Sequence, residues 1–303
     1  MHGNLAKTQG KLLMSKKIGL SLGLLSLIYT MVSAPPSNMS EQAWATAGVG
    51  MLMVAWWATQ VLPIPVTSLF PIVLFPLTGV SSVAEAAAPY ANPVIFLLLG
   101  GFIIATALQR WQLHRRLALL VLRMAGSHPH SIIGWFMFAS AFLSMWISNT
   151  ATTIMMLPIA ISLAQVMLKG QSKEITDKFT ICLLLGIAYA ASIGGLGTLI
   201  GTPPNAMMAA FMEETYGISI GFAKWMTFGL PIICLLLPLA WLLLTRLIFT
   251  FDLPHNKSSI QVVDRELESM GPLGVPEKRT AIVFFLIALA WIIRPALQQL
   301  PGL

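Results

Sequence analysis

Ser144-Met145-Trp146-Ile147-Ser148-Asn149-Thr150-Ala151-Thr152 gathers hydroxyls and one carboxamide into a short piece of an otherwise apolar sequence. From Ser131 to Leu168 there is no Asp, Glu, Lys, Arg or His. A polar cluster in such a run has to satisfy its hydrogen bonds internally or hold a ligand, because unpaired polar groups are costly in an apolar medium. The ligand reading sets the reading of the flanks. Arg115, Arg116 and Arg123 precede the run, and Lys169, Lys173 and Lys178 follow it. Basic residues on both sides place both flanks in the cytoplasm, so the segment enters and leaves on one side. Its two arms have about 17–19 residues each, roughly 25–28 Å of helix. That length fits a re-entrant hairpin or two short spans. The tip lacks the polar, glycine-rich loop of an ordinary connection, since Asn149 and its hydroxyl neighbours form the turn. This favours a hairpin over 131–168, its non-helical tip buried in protein or lining a cavity.

Outward from the hairpin, 56% of the 303 residues are hydrophobic and only 10% are charged, more apolar sequence than a soluble core needs. Runs of roughly 20 apolar residues recur, the length of a bilayer core. The fold class is all-α, a polytopic membrane protein whose first partner is the lipid bilayer. The net charge of +7 invites a nucleic-acid partner, but the basic residues sit in short loops between spans, where the positive-inside rule explains them. Cys182 and Cys234 lie in apolar runs and read as packing residues. His128 and His130 flank Pro129 without a Cys or carboxylate beside them, so no metal centre is expected there.

On the N-terminal side, residues 1–17 are polar and basic and Ile18 to Val32 is apolar. The pair resembles a signal peptide, but Pro35 and Pro36 after Val32-Ser33-Ala34 disfavour cleavage. An uncleaved first span with a cytoplasmic N-terminus is expected, in the cell (inner) membrane. Pro63 and Pro65 divide the uncharged stretch Gln42 to Ala84 into spans 43–62 and 66–80. Ala86 to Gln109 is a fourth span, entered through Asn92-Pro93, with Gly100-Gly101 for close packing. Arg110, His114, Arg115, Arg116 and Arg123 then interleave with Trp111 and leucines at helical spacing. This suggests a helix lying in the membrane interface, the plainer alternative being a basic loop.

On the C-terminal side, Phe179 to Met212 is one uncharged run interrupted by Gly194-Gly195-Leu196-Gly197-Thr198 and Gly201-Thr202-Pro203-Pro204-Asn205. The glycines unwind a helix. Thr202 can cap, and Pro203 suits the first position, of a new one. A broken helix over 179–212 follows, with Glu213 and Glu214 at its outer end. A span over 225–245, a charged cytoplasmic arm from Asp252 to Arg279, and a last span beginning at Ala281 complete the chain. With this parity only Lys224 and Arg294 among the Lys and Arg residues fall outside the cytoplasmic face. The expected organisation is scaffold spans and interfacial helix in 1–127, half of a transport domain in 128–250, and the arm plus the start of a second repeat in 251–303.

Hairpin tips and broken helices bind ions for electrostatic reasons. Half-helix N-termini offer free N–H groups to an anion, while unwound carbonyls and hydroxyls suit a hard cation such as Na⁺. Ser144 and Ser148 are four apart, so their hydroxyls are expected on one helical face. Asn149 offers both an acceptor and donors. Thr150 starts the second arm, where a carboxylate meets its hydroxyl and the helix N-terminus. The bland alternative is that these hydroxyls bond back to carbonyls one turn earlier and that the glycines only permit packing. Met155, Met156, Met207 and Met208 read as packing residues.

Ser148-Asn149-Thr150 before Ala151-Thr152, paired with Gly201-Thr202-Pro203-Pro204-Asn205, resembles the first half of the divalent anion:sodium symporter family, the di- and tricarboxylate transporters. The resemblance covers essentially the whole chain. It implies two inverted repeats, an elevator-like motion of the site past a scaffold, and a homodimer. It implies Na⁺ as coupling ion at Ser144, Ser148, Asn149 and Gly197, and a small carboxylate anion at Asn149, Thr150 and Thr198. Gly194, Gly195, Thr202, Pro203 and Asn205 would shape the break. The family's second Ser-Asn-Thr motif is not found here; the sequence ends at Leu303, about where a second repeat begins. A weak echo of Val54-Ala55-Trp56-Trp57 in Ala288-Leu289-Ala290-Trp291 fits that placement. The expected function is Na⁺-coupled transport of succinate-, malate- or citrate-like anions by a partial chain. The alternatives are a truncated, non-transporting membrane protein and a Na⁺-independent exchanger. An exchanger would need a basic residue to neutralise its dianion, and neither interrupted segment contains Lys, Arg or His. An intramembrane enzyme is disfavoured, because Ser144 and Ser148 have no His or acid in the same apolar runs to act as base.

Overall fold

The computed structural model describes residues 2–251, 253 and 258–297; for 2–12, 258–260 and 295–297 it describes the backbone alone. Asp252 and residues 254–257 of the expected arm, the side chains of Lys7 and Lys11, and the chain after 297 lie outside the described residues. The described residues form helices and no strand, as an all-α polytopic protein requires. Four of these helices are long and apolar enough to cross a membrane: Pro93–Arg110, Asn149–Met167, Lys173–Gly195 and Phe222–Ile248. The chain forms two compact units, Met1–Asn92 and Pro93–Leu303.

In the first unit, α1 (His2–Val32) begins well before the apolar run at Ile18, because no proline in 2–17 stops it. α2 (Glu41–Thr59) starts where the Ser40 hydroxyl accepts the Ala43 N–H at 3.2 Å. The two pack antiparallel through small residues: a side chain on Gly19 would overlap Thr59, and one on Gly48 would overlap Thr30. Leu27, Val49, Leu52 and Trp56 are the buried core, with Trp56 edge-on to Phe70 at 5.0 Å. The expected span over 66–80 is instead two short helices, α3 (Ile64–Ser68) and α4 (Phe70–Leu77). Pro65, Pro71 and Pro76 each remove a backbone donor. At the joint the ladder tightens to three-residue steps, with Leu69 N–H to Val66 O at 3.1 Å and Ile72 N–H to Leu69 O at 3.2 Å. A capping box between Ser82 and Glu85 then fixes α5 (Val83–Ala87). The fourth span therefore starts at Pro93, not at Ala86.

In the second unit, α6 (Pro93–Arg110) ends at a left-handed Gln112 (φ 57°), and α7 (Leu113–Leu122) follows. α7 is amphipathic, but its basic residues are not all on the surface, as an interfacial helix alone would have them. Arg116 is 6% exposed, its Nε 3.0 Å from Glu277 Oε1 and its Nη1 donating to the Gly271 carbonyl at 3.0 Å. Arg115 pairs with Glu266, and Arg123 Nε is 3.0 Å from Asp264. The charged arm thus folds back as α13 (Ser258–Ser269), an amphipathic helix packed on α7 and α9 (Asn149–Met167). α8 (Pro129–Ser144) and α9 form the hairpin, and α10 (Lys173–Gly195) and α11 (Pro203–Tyr216) form the broken helix. α12 (Phe222–Leu242) runs on into a π-helical turn over Leu243–Ile248, and α14 (Val275–Leu297) is the last element. Gly186, Ala190 and Gly194 repeat every fourth residue on α10, the small-residue stripe that lets membrane helices approach closely. Gly186 backs onto Met137, and Gly194 onto the backbone of Ala141. Ile133, Phe136, Met137, Met156, Ala160, Phe179 and Leu183 fill the core between α8, α9 and α10.

Candidate functional site

The hairpin turns at Met145–Ser148. α8 ends at Ser144, and Ser148 is the N-cap of α9, its hydroxyl accepting the Ala151 N–H at 3.3 Å. Ser144 and Ser148 therefore do not share a helical face, because the helix between them is interrupted. Ser144 is fully buried, and its hydroxyl donates to Asn149 Oδ1 at 2.6 Å. Ser148 and Thr150 are exposed, and the amides of Asn149 and Thr150 lie in the first turn of α9, where no intrahelical acceptor exists. Thr152 follows one turn after Asn149. It is 1% exposed, and its hydroxyl has no hydrogen-bond partner among the described residues.

The break in the other helix is narrower than the glycine run suggested. α10 continues through Gly194 and Gly195, and only Leu196 to Thr202 leave the helix. Gly195 is where the two interrupted segments touch: a Cβ there would stand 2.6 Å from Asn149 Oδ1 and 3.3 Å from its Nδ2. Thr198, expected at a carboxylate, is fully buried and gives its hydroxyl proton to the Met145 carbonyl, fastening the break to the hairpin turn. Gly197 faces Ile233 and Met145, and its carbonyl lies against Gly229 of α12. Gly201 backs onto the carbonyl of Gly195.

Thr202 has extended cap geometry, yet its side chain makes no cap hydrogen bond. The reason is chemical. Pro203 and Pro204 have no N–H, so the first amide of α11 is Asn205, and it bonds the Thr202 carbonyl at 3.1 Å. The Asn205 side chain closes the break instead, its Nδ2 donating to the carbonyls of Gly195 and Thr198, both at 2.8 Å. Trp225 Nε1 donates to the Leu196 carbonyl at 2.9 Å. The two helix starts thus differ in character. That of α9 presents amide donors, and that of α11 is stripped of them.

Sequence reasoning left Thr152, Trp225 and Gly229 out of the site. Thr152 carried a local signal, a hydroxyl in step with Asn149 on one helical face. Trp225 and Gly229 carried none, because they reach the break from a separate element. Among the described residues no group of three or more His, Cys, Asp and Glu is placed to hold a metal ion.

Two interrupted helices fastened to each other inside a polytopic α-helical membrane protein define an architecture in which discontinuous helices present backbone ends and side-chain oxygens at membrane depth. Residues 54–303 match the citrate transporter family. The sodium-dependent dicarboxylate transporter SdcS of Staphylococcus saprophyticus is 38% identical over 286 residues, covering 93% of this chain and 55% of that protein. The transporter of the same name from Staphylococcus aureus strain USA300 is 37% identical with the same coverage. The chain spans about half the length of these relatives. It belongs to the citrate transporter family.

Proposed function

We propose that this chain supplies one half-site of a Na⁺-coupled transporter of di- or tricarboxylate anions. The observation that carries the proposal is Ser144 donating to Asn149 Oδ1 while that carboxamide lies over Gly195, which joins hairpin tip and helix break at one point. The buried, unpartnered hydroxyl of Thr152 fits a hard cation that needs oxygen donors. Na⁺ would be held by Ser144, Ser148, Asn149 and the Gly197 turn; bound there, it supplies positive charge that attracts an anion to a site without Lys, Arg or His. The anion's carboxylate meets the Thr150 hydroxyl and the amides at the start of α9, where the helix dipole favours negative charge. Asn149 stands between the two ligands, its oxygen toward the cation and its amide donors free for the carboxylate. Thr198 holds the hairpin turn to the break, so its contribution to the carboxylate is positional. The same reading carries a homodimer in the cell inner membrane with a cytoplasmic N-terminus, a scaffold in 1–127 and the moving half-site in 128–250.

The test is a chimera in which the 286 matched residues replace their counterpart in the Staphylococcus saprophyticus protein. In proteoliposomes, uptake of radiolabelled succinate should require an inward Na⁺ gradient. Asn149→Ala should lower that uptake about tenfold or more at equal expression. Equal uptake with and without Na⁺ would sink the coupling, and normal uptake by the variant would sink the site.

A further inference from the structure

Where α6 ends against the α13–α14 connection, the second unit has a cavity of about 500 Å³, lined by Arg110, Trp111, Arg115, Met270, Pro276 and Glu277 among others. Its charges do not cancel. Glu277 is committed to Arg116 and to the Gly274 N–H, and Arg115 is committed to Glu266. Arg110 has no acidic partner among the described residues. Its guanidinium stands 5.8 Å from the centroid of the Trp111 ring, a cation–π placement that leaves the edge donors unused. Arg110 and Trp111 are both exposed, and Arg110 is the last residue of a helix apolar and long enough to span. The cavity therefore opens at the level where hydrocarbon gives way to headgroups, and α7 continues from it as an amphipathic helix.

This combination has a specific chemistry. Guanidinium presents a planar fork of donors that matches a phosphate, and Trp favours the headgroup layer. Basic pockets at the cytoplasmic ends of spans take anionic headgroups for these reasons. We propose that this cavity binds a phosphate-bearing anion, the headgroup of an anionic phospholipid, with Arg110 as the ligand and Trp111 against the glycerol. The apolar floor at Met270 and Pro276 suits the lipid side of such a ligand. The site is separate from the hairpin and the break and does not depend on transport.

The test is native mass spectrometry of the full chain with dihexanoyl-phosphatidylglycerol, dihexanoyl-phosphatidylcholine and glycerol 3-phosphate as probes. The phosphatidylglycerol should bind in preference to the choline lipid. Arg110→Gln should weaken it about tenfold, the scale of one charge-assisted contact, and Arg110→Lys should restore part of the loss. Arg110 is exposed and unpaired, so both variants should melt as the parent does, which separates lost binding from lost folding. Equal binding of the choline lipid, or parental binding by Arg110→Gln, overturns the site. Glycerol 3-phosphate binding as tightly as the lipid keeps the phosphate site and overturns its lipid source.

Discussion

At the neighbouring glycines 194 and 195 one added methyl group would meet backbone at the first and a side chain at the second. A Cβ on Gly194 would overlap the Ala141 backbone, which cannot turn aside, so Gly194→Ala should destabilise the fold by about 1–3 kcal/mol, as overpacking does. A Cβ on Gly195 would meet the Asn149 carboxamide at 2.6 Å, and a side chain can rotate away. Gly195→Ala should therefore abolish Na⁺-dependent uptake in the chimera while moving the melting temperature less than Gly194→Ala. If both variants lose stability equally, the Asn149 carboxamide does not turn aside for the added methyl group. Asn205→Ala strips two buried carbonyls of their donor and should cost roughly 2–4 kcal/mol by thermal or denaturant melting. At this scale much was legible beforehand. Ser144, Asn149 and Asn205 stood out because polar side chains in an uncharged run need a reason. What stayed hidden was which hydroxyl faces which partner. Thr198 and Met145 are 53 residues apart, and no local pattern links them.

Among the elements, the interruptions at 145–148 and 196–202 were readable because proline, glycine and the absence of charge act locally. The α3–α4 pair was not, since several prolines in one apolar run can be read as one kinked span or as two short helices. Arg116 was missed for a different reason. A basic residue on an amphipathic helix reads as surface until a distant acid is found, and Glu277 is 161 residues away. This pair ties α7 to the start of α14 with side chains only 7% and 12% exposed. Arg116→Ala leaves the Glu277 carboxylate without its guanidinium partner and should lower the melting temperature. Its pH dependence has a definite sign. The Arg116 guanidinium, aided by the Gly274 N–H, holds the Glu277 carboxyl below its ordinary 4.5. That stabilisation is complete above pH 4.5 and is lost as pH falls through the lowered value. Burial likewise holds His114 below its ordinary 6.5, against the opposing pull of the Leu108 carbonyl. The folded state keeps it neutral, so stability should begin to fall once pH drops below 6.5. Thermal melts from pH 8 to 4 should show this decline, and His114→Gln should remove its upper part; a melting temperature that rises on acidification would contradict both assignments.

Across the whole molecule, the spans were read from the apolar runs and their expected direction from where Lys and Arg gather, and that direction can be checked in cells. With Cys182 and Cys234 replaced by Ala, Lys169→Cys should react with an impermeant maleimide only after the membrane is opened. Glu213→Cys should react in intact cells, and the reverse pattern would overturn the topology. The helix break has a mechanical consequence. An interrupted helix ordinarily bends at its interruption, but here Asn205 splices both sides and Trp225 pegs the middle, so the joint is locked. Gly126, Gly170 and Gly217 turn the chain at φ 69°, 84° and 66°, each with open space where a side chain would stand. They bracket the hairpin and the broken helix. Between those turns the hairpin turn and the helix break are tied into one hydrogen-bonded unit, by Thr198 to the Met145 carbonyl and by Asn205 to the carbonyls of Gly195 and Thr198.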